Sequence, residues 1–478
     1  VGYGLFRSVG LTIDKDLIII GTGGEWNSTT VQAAGAPALA RDRVLTIQPG
    51  AVVTLENLWI RNGRTPAARR GKDAEGGGVI RNLGMLLLRN CRVSGGRTGR
   101  GGWGPEGGDG GPGGGICNEG ELEILGCLVA ANRTGRGGNS FRRDTPGGTG
   151  GAGGGIANFG ELTMQHTYVL FNMTGPGGDG NGWPATPASG SGGNGGGLHN
   201  ASAGSLTVQE CMVAANRCGH GGGLESGGLP GGSGGGIDND GTRVSKRSLL
   251  AYNLGGTGGT TIDEIGNGAG GGDGGAIANR HVADIENCTI HANRSGDGSF
   301  GPGFSLSGSG GSGGGISNLG DLTVSHSTIT ENRTGSAGGY TIPGFARGGG
   351  GIHNDGVLTL NHTLLARNRS RQDPDGSNSG TGPDCLGAIR SMGYNLIGST
   401  DGCDVQDDPG TSIFGVDPML AALGDYGGFA WSQALLPGSP AVDAGDPGFS
   451  GPPDVDQRGQ LRIGGRAIDI GAYETIVP

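Results

Sequence analysis

Residues Gly153 to Thr174 read GGGIANFGELTMQHTYVLFNMT, and Gly313 to Thr334 read GGGISNLGDLTVSHSTITENRT. The two stretches share a GGGI-x-N head, an alternating apolar run and an Asn-x-Thr tail. Aligning all copies on the head places Asn82, Asn118, Asn158, Asn200, Asn239, Asn279, Asn318 and Asn354 in one column, with spacings of 36 to 42 residues. A glycine usually stands two positions later (Gly84, Gly120, Gly160, Gly241, Gly320, Gly356), as expected of an Asn-x-Gly corner that needs positive φ. Runs such as Leu162-Thr163-Met164 and Leu322-Thr323-Val324 follow, with the period of two of a strand buried on one face. A second short strand closes on another column: Asn132, Asn172, Asn216, Asn253, Asn293, Asn332 and Asn368.

Three short strands joined by corners, with identical residues recurring in register, describe one coil of a parallel β-helix. The expected fold is all-β, a single-stranded parallel solenoid with glycine-rich loops inserted at one corner of successive coils. Both asparagine columns are then expected to be ladders of stacked amides. The column Cys91, Cys127, Thr167, Cys211, Ser248, Cys288, Ser327 and Thr363 is expected to form interior rungs. A helical reading fails because no apolar spacing of three and four is sustained, and each glycine would cost a helix roughly 1 kcal/mol.

The chain divides into N-terminal coils (1–75), the repeated GGGI-x-N coils (76–370) and a C-terminal part (371–478) of further coils with a capping or docking segment. The 115 glycines among 478 residues, with 5% aromatic content, exclude an ordinary layered core. No run of about 18 apolar residues could span a bilayer. The chain starts at Val1 without methionine, as a processed or truncated chain would. A net charge of −10 argues against a nucleic-acid partner, and Arg133, Arg217, Arg294, Arg333 and Arg369, one per repeat, read as a solvated rim. The loops, such as Gly175 to Gly197, read either as packed extended strands or as flexible linkers. No strand-to-helix context supports a phosphate-binding loop.

The GGGI or GGAI heads with VLFN, VAAN or IHAN tails resemble the repeats of polymorphic outer-membrane proteins. GPDCLGAIRSMGYNLIGSTDGC (Gly382 to Cys403), DPMLAALGDYGG from Asp417, LLPGSPAVDAGD from Leu435 and DQRGQLRIGGRAIDIGAYE from Asp456 resemble the C-terminal signature of secreted bacterial choice-of-anchor Q domain proteins. LTIDKDLIIIGTG and VTLENLWIRNG, between Leu11 and Asn62, are similar to the N-terminal coils of that family. The resemblance implies a right-handed, pectin-lyase-like β-helix, exported and displayed at a bacterial surface, with no catalytic residues to carry over. Such proteins commonly carry an anchor segment beyond the point that Pro478 marks in this chain. The exported context favours a Cys385–Cys403 disulfide; the remaining cysteines read as buried thiols, and none has zinc-site spacing.

Asn132, Asn172, Asn293, Asn332 and Asn368 also open Asn-x-Thr/Ser sequons; they are either glycosylated along one edge or ladder rungs, and the ladder is preferred. Asn27 is the best candidate for an exposed sequon. Asp373, Asp375 and Asp384 could hold calcium, as could Asp404, Asp407 and Asp408. However, Asp384 stands where a calcium loop has its bidentate glutamate, so a solvated turn is preferred and no cofactor is expected.

Since no coil concentrates acids, histidine and arginine together, no enzymatic activity is expected. The expected function is an extracellular structural rod, self-associating head to tail into a filament through its open strand edges. The alternative is an adhesin or glycan-binding protein using the Thr163, Thr207, Thr323 and Thr359 column, which Glu123 and Ser245 interrupt. A lyase or glycoside hydrolase is the least expected reading.

Overall fold

The computed structural model describes the chain except residues 1–3, 8, 23–28, 143–144, 181–189, 224–227, 261–266, 302–305, 340–343, 346, 372–380, 408–409 and 477–478. Its 35 strands form a right-handed parallel β-helix, as parallel crossovers dictate. One face is a 13-stranded sheet; the other two merge through Cys385–Ser391 into 22 strands. Every strand pairs in parallel with its counterpart one coil away: Ile116–Asn118 with Ile156–Asn158, Glu121–Leu125 with Glu161–Gln165, Leu128–Ala130 with Tyr168–Leu170. No α-helix occurs among the described residues.

The period of two puts alternate side chains inside. Leu122 and Ile124 are buried between exposed Glu121 and Glu123, and the interior is a stack of like residues, Ile116 on Ile156 and Val129 on Val169. Both asparagine columns are buried ladders. In the first, Nδ2 of Asn118 donates to Oδ1 of Asn158 (2.8 Å), and so on down to Asn354. In the second, both the backbone N–H and Nδ2 of Asn172 donate to Oδ1 of Asn216, at 3.0 and 3.1 Å. The cysteine/serine/threonine column adds a third ladder that composition did not reveal. The Cys211 N–H donates to Ser248 Oγ (3.0 Å) and the Cys288 N–H to Ser327 Oγ (3.1 Å).

Positive φ falls elsewhere than expected. The corner glycines do not adopt it; Gly160 is needed because a Cβ there would lie 2.1 Å from the carbonyl oxygen of Gly120, one coil away. The left-handed turns fall instead on the first glycine of each head, such as Gly153 and Gly313 (φ 67° and 60°), and on non-glycine columns such as His166, Glu210, Arg247 and His326, with φ between 46° and 49°.

The bases of the glycine loops are ordered, and their limbs hydrogen-bond from loop to loop: Gly138 N to Gly108 O, Gly148 N to Gly138 O, Gly178 N to Gly148 O, Gly190 N to Gly178 O, all 2.7–2.8 Å. Glycine suits this packing because backbone lies against backbone; a Cβ at Gly148 would sit 1.8 Å from Gly108 O.

The C-terminal coils are tied by the Cys385–Cys403 disulfide. Beyond them the chain neither stacks on the end nor projects outward; it folds back along the flank of the 13-stranded sheet. Phe429 reaches Tyr168 (ring centroids 4.8 Å), Phe449 covers His326 and His362, and Gln457 accepts a hydrogen bond from Thr289 (2.6 Å).

Candidate functional site

Where a repeat ends in Asn-x-Thr, the tail performs three tasks at one corner. In Asn132-Arg133-Thr134 the asparagine is a ladder rung, and Thr134 Oγ1 clamps the glycine loops, donating to Gly151 O (2.6 Å) and accepting from Gly175 N (2.7 Å). The residue between them lies outside on an unbroken line of parallel bridges: Arg64, Arg97, Arg133, Met173, Arg217, Leu254, Arg294, Arg333, Arg369. Seven of these nine positions are arginine. Rungs are about 4.8 Å apart, so adjacent guanidinium groups repel by on the order of 1 kcal/mol per pair even in water. Among the described residues Arg97, Arg133, Arg217, Arg333 and Arg369 have no carboxylate partner, while Arg294 pairs with Asp297.

The ladder deepens into a cleft of about 670 Å³ at Arg294, Arg333 and Arg369, walled by Glu331, Arg367 and Asp417. Arg367 is held by Asp417 at 2.7 Å. Partial burial, then the charges of Arg294 and Arg371, pushes the Arg333 guanidinium below its ordinary range. The neighbouring column presents Phe171 (66% exposed) and Tyr252 (54%) beside the arginines. The flank therefore offers planar donor forks alternating with aromatic faces. The one-per-repeat arginines were legible in the sequence; their stacking into one charged line required the register.

A second polar group lies at the head column. His199, Asp238, Asp240 and Arg280 come from three successive coils, so the expectation that acids, histidine and arginine stay apart fails: residues about 40 apart in sequence are one rung apart in space. Asp238 is fully buried, accepting from His199 Nδ1 (2.9 Å) and Arg280 Nη1 (2.5 Å), and Arg280 also reaches Asp240 (2.9 Å). Burial pushes the Asp238 carboxyl up, but the His199 bond and the Arg280 charge outweigh it and hold the group below the usual range. His199, Asp238 and Asp240 lie close enough to share a metal ion. Arg280 already supplies the cation between both carboxylates, so this set does not fit a metal. On the left-handed corner Glu210 bridges His166 and pairs with Arg247.

Among the calcium candidates, Asp373 and Asp375 lie outside the described residues. Asp384 ends the asparagine ladder, its Oδ1 accepting from Asn368 N and Nδ2 and its Oδ2 from Ser399 N (2.9, 3.0 and 2.7 Å). Asn27 also lies outside the described residues. The Nδ2 atoms of Asn132, Asn172, Asn293, Asn332 and Asn368, where a glycan would attach, are buried and donate within the ladder. In the threonine column the residue in register with Thr207 is Val244, not Ser245, which points inward. Glu123, Val244 and Asp284 break that face.

No family model and no curated protein matches the chain. Neither comparison supports the resemblance to the choice-of-anchor Q family that the motifs suggest. A solved structure, the crystal structure of a pectate lyase, is similar over 99% of this chain and 88% of that one, at 12% identity and a TM-score of 0.33. That structure is of an enzyme; the expectation of no enzymatic activity is corrected, because the separation of acids, histidine and arginine on which it rested fails where His199, Asp238 and Arg280 meet across three coils. At this similarity the match assigns neither residues nor substrate. No helix among the described residues is long and apolar enough to cross a membrane.

Proposed function

We propose that the protein is an exported β-helical rod that binds an acidic glycan lengthwise along its arginine ladder. The observation that carries this reading is the line of seven arginines in register on a chain of net charge −10. Such a line is unfavourable in the free protein and is relieved by a ligand with regularly spaced carboxylates or sulfates. Phe171 and Tyr252 favour a glycan by giving sugar C–H faces an apolar surface. The Cys385–Cys403 disulfide supports export to an oxidising compartment.

The test is titration with a polyuronate, a sulfated glycan, a neutral glucan and duplex DNA, using the wild type and an R294A/R333A/R369A variant. Binding of the acidic glycans that weakens with salt and drops at least tenfold in the variant supports the reading. Equal binding by wild type and variant, or equal affinity for DNA, overturns it.

A second reading is head-to-tail assembly into a filament, through the unpaired strand edges that a parallel solenoid presents wherever its stack of coils ends. Electron microscopy of the purified chain checks it: fibres with a one-rod repeat are expected, and separate rods at all concentrations would exclude it.

A further inference from the structure

In the column of five-residue strands that runs from Val52–Glu56 to Val357–Asn361, the two inward positions are apolar in every described coil except one. At the inward position where neighbouring coils place Leu86, Leu122, Leu162, Leu206, Leu322 and Leu358, the coil at Thr242–Lys246 places Arg243, 1% exposed. The next coil has Ala283 in register, the smallest side chain in that column, which leaves room for the longer one. Two residues on, where the flanking coils have Val208 and Ile285, stands Ser245, itself fully buried.

All three guanidinium nitrogens of Arg243 and the hydroxyl of Ser245 lack a hydrogen-bond partner within the protein. No carboxylate pairs with Arg243 among the described residues. Asp284 is on the next strand, but alternation puts it on the outer face. The Cys288 thiol lies close by and donates to the carbonyls of Ser245 and Glu286, so it is not a counter-ion. Burial lowers the Arg243 pKa to about 10, which still leaves the group charged at neutral pH.

An unpaired charge costs several kcal/mol in such a place, far more than an apolar leucine would. The unpartnered groups here are donors on two successive inward positions of one strand, with the small Ala283 in register on the next. Donors without acceptors fit an anion, and neither a cation nor an apolar ligand would satisfy them. Full burial among apolar side chains and the steep desolvation cost of multiple charge select a compact monovalent species.

We propose that Arg243 and Ser245 form a binding site for a halide, chloride under ordinary conditions, enclosed within the β-helix. The ion is taken up as the coils close, and the folded chain is stabilised by its concentration in the medium.

The first experiment is crystallography of the full chain grown in bromide. An anomalous peak within about 3.5 Å of the Arg243 guanidinium is expected; density for water alone, without anomalous signal, overturns the proposal. The second is thermal unfolding at constant ionic strength in chloride against gluconate. For the wild type, Tm should rise by roughly 1 °C per tenfold increase in chloride above saturation. Arg243→Leu, which restores the residue of the neighbouring coils, should lose that dependence; Arg243→Met serves if the leucine variant does not fold. An equal chloride response in wild type and variant would also overturn the site.

Discussion

The second asparagine ladder gives a quantitative test at Asn216. Its Nδ2 donates to Val169 O (2.9 Å) and Asn253 Oδ1 (3.0 Å), and its Oδ1 accepts from the Asn172 N–H and Nδ2. Replacement by alanine removes all four bonds. The Asn172 N–H is then left buried without an acceptor, at about 1–3 kcal/mol. Asn172 Nδ2 keeps Val129 O, and Asn253 Oδ1 keeps the Asn216 N–H. The three remaining bonds therefore count at their net value of about 0.5–1.5 kcal/mol each. Asn216→Ala should thus destabilise the chain by about 2.5–7.5 kcal/mol. Asn216→Asp keeps both acceptor contacts but turns a buried carboxylate toward two oxygens, and should be at least as costly. A carboxylate survives at the end of the ladder only because Asp384 meets donors alone, from Asn368 and Ser399. Urea unfolding supplies the energies. Hydrogen exchange at the Asn172 amide localises the defect, which matters because a solenoid need not unfold in one step. A cost below 1 kcal/mol for alanine, or an aspartate variant more stable than the alanine one, would refute the ladder as a source of stability.

Two further outcomes follow from the geometry. Gly148→Ala should separate the glycine-loop limbs, because its Cβ would meet Gly108 O at 1.8 Å, and should speed exchange at the Gly178 amide; Gly35→Ala, with nothing within 4 Å, should change neither exchange nor Tm. The returning C-terminal segment should be pH-sensitive, because burial pushes His326 down to about 2 and His362 to about 4. Both values are below the ordinary 6.5, so the stability they contribute is complete above pH 6.5 and is lost as the pH falls toward 4 and then 2. Burial, then the charge of Asp469, raises the Glu474 carboxyl to about 8; its contribution has the opposite sense, complete below 4.5 and lost as the pH rises to 8. Thermal unfolding across pH 4–8 should therefore show Glu474→Gln removing the alkaline decline and leaving the acid one, and a flat wild-type profile would contradict both assignments.

The repeat alone determined the solenoid, its rung length, both asparagine columns and the corner where the loops enter. Those features are local and periodic: a strand shows its period of two in five residues, and identical rungs must stack once coils pair in parallel. Cys385 and Cys403 were likewise identified through motifs of neighbouring residues. Tertiary structure decided what depends on register between coils. Arg133, Arg217, Arg294, Arg333 and Arg369 look like scattered surface charge along the chain, and only stacking makes them one line. His199, Asp238 and Arg280 belong to three repeats, so no reading along one repeat unites them. Gly160 is required by a carbonyl one coil away rather than by its own φ, which no local rule reports. The final segment has no period at all, and its return over His326 and His362 is set by side-chain packing between residues 84 to 136 positions apart.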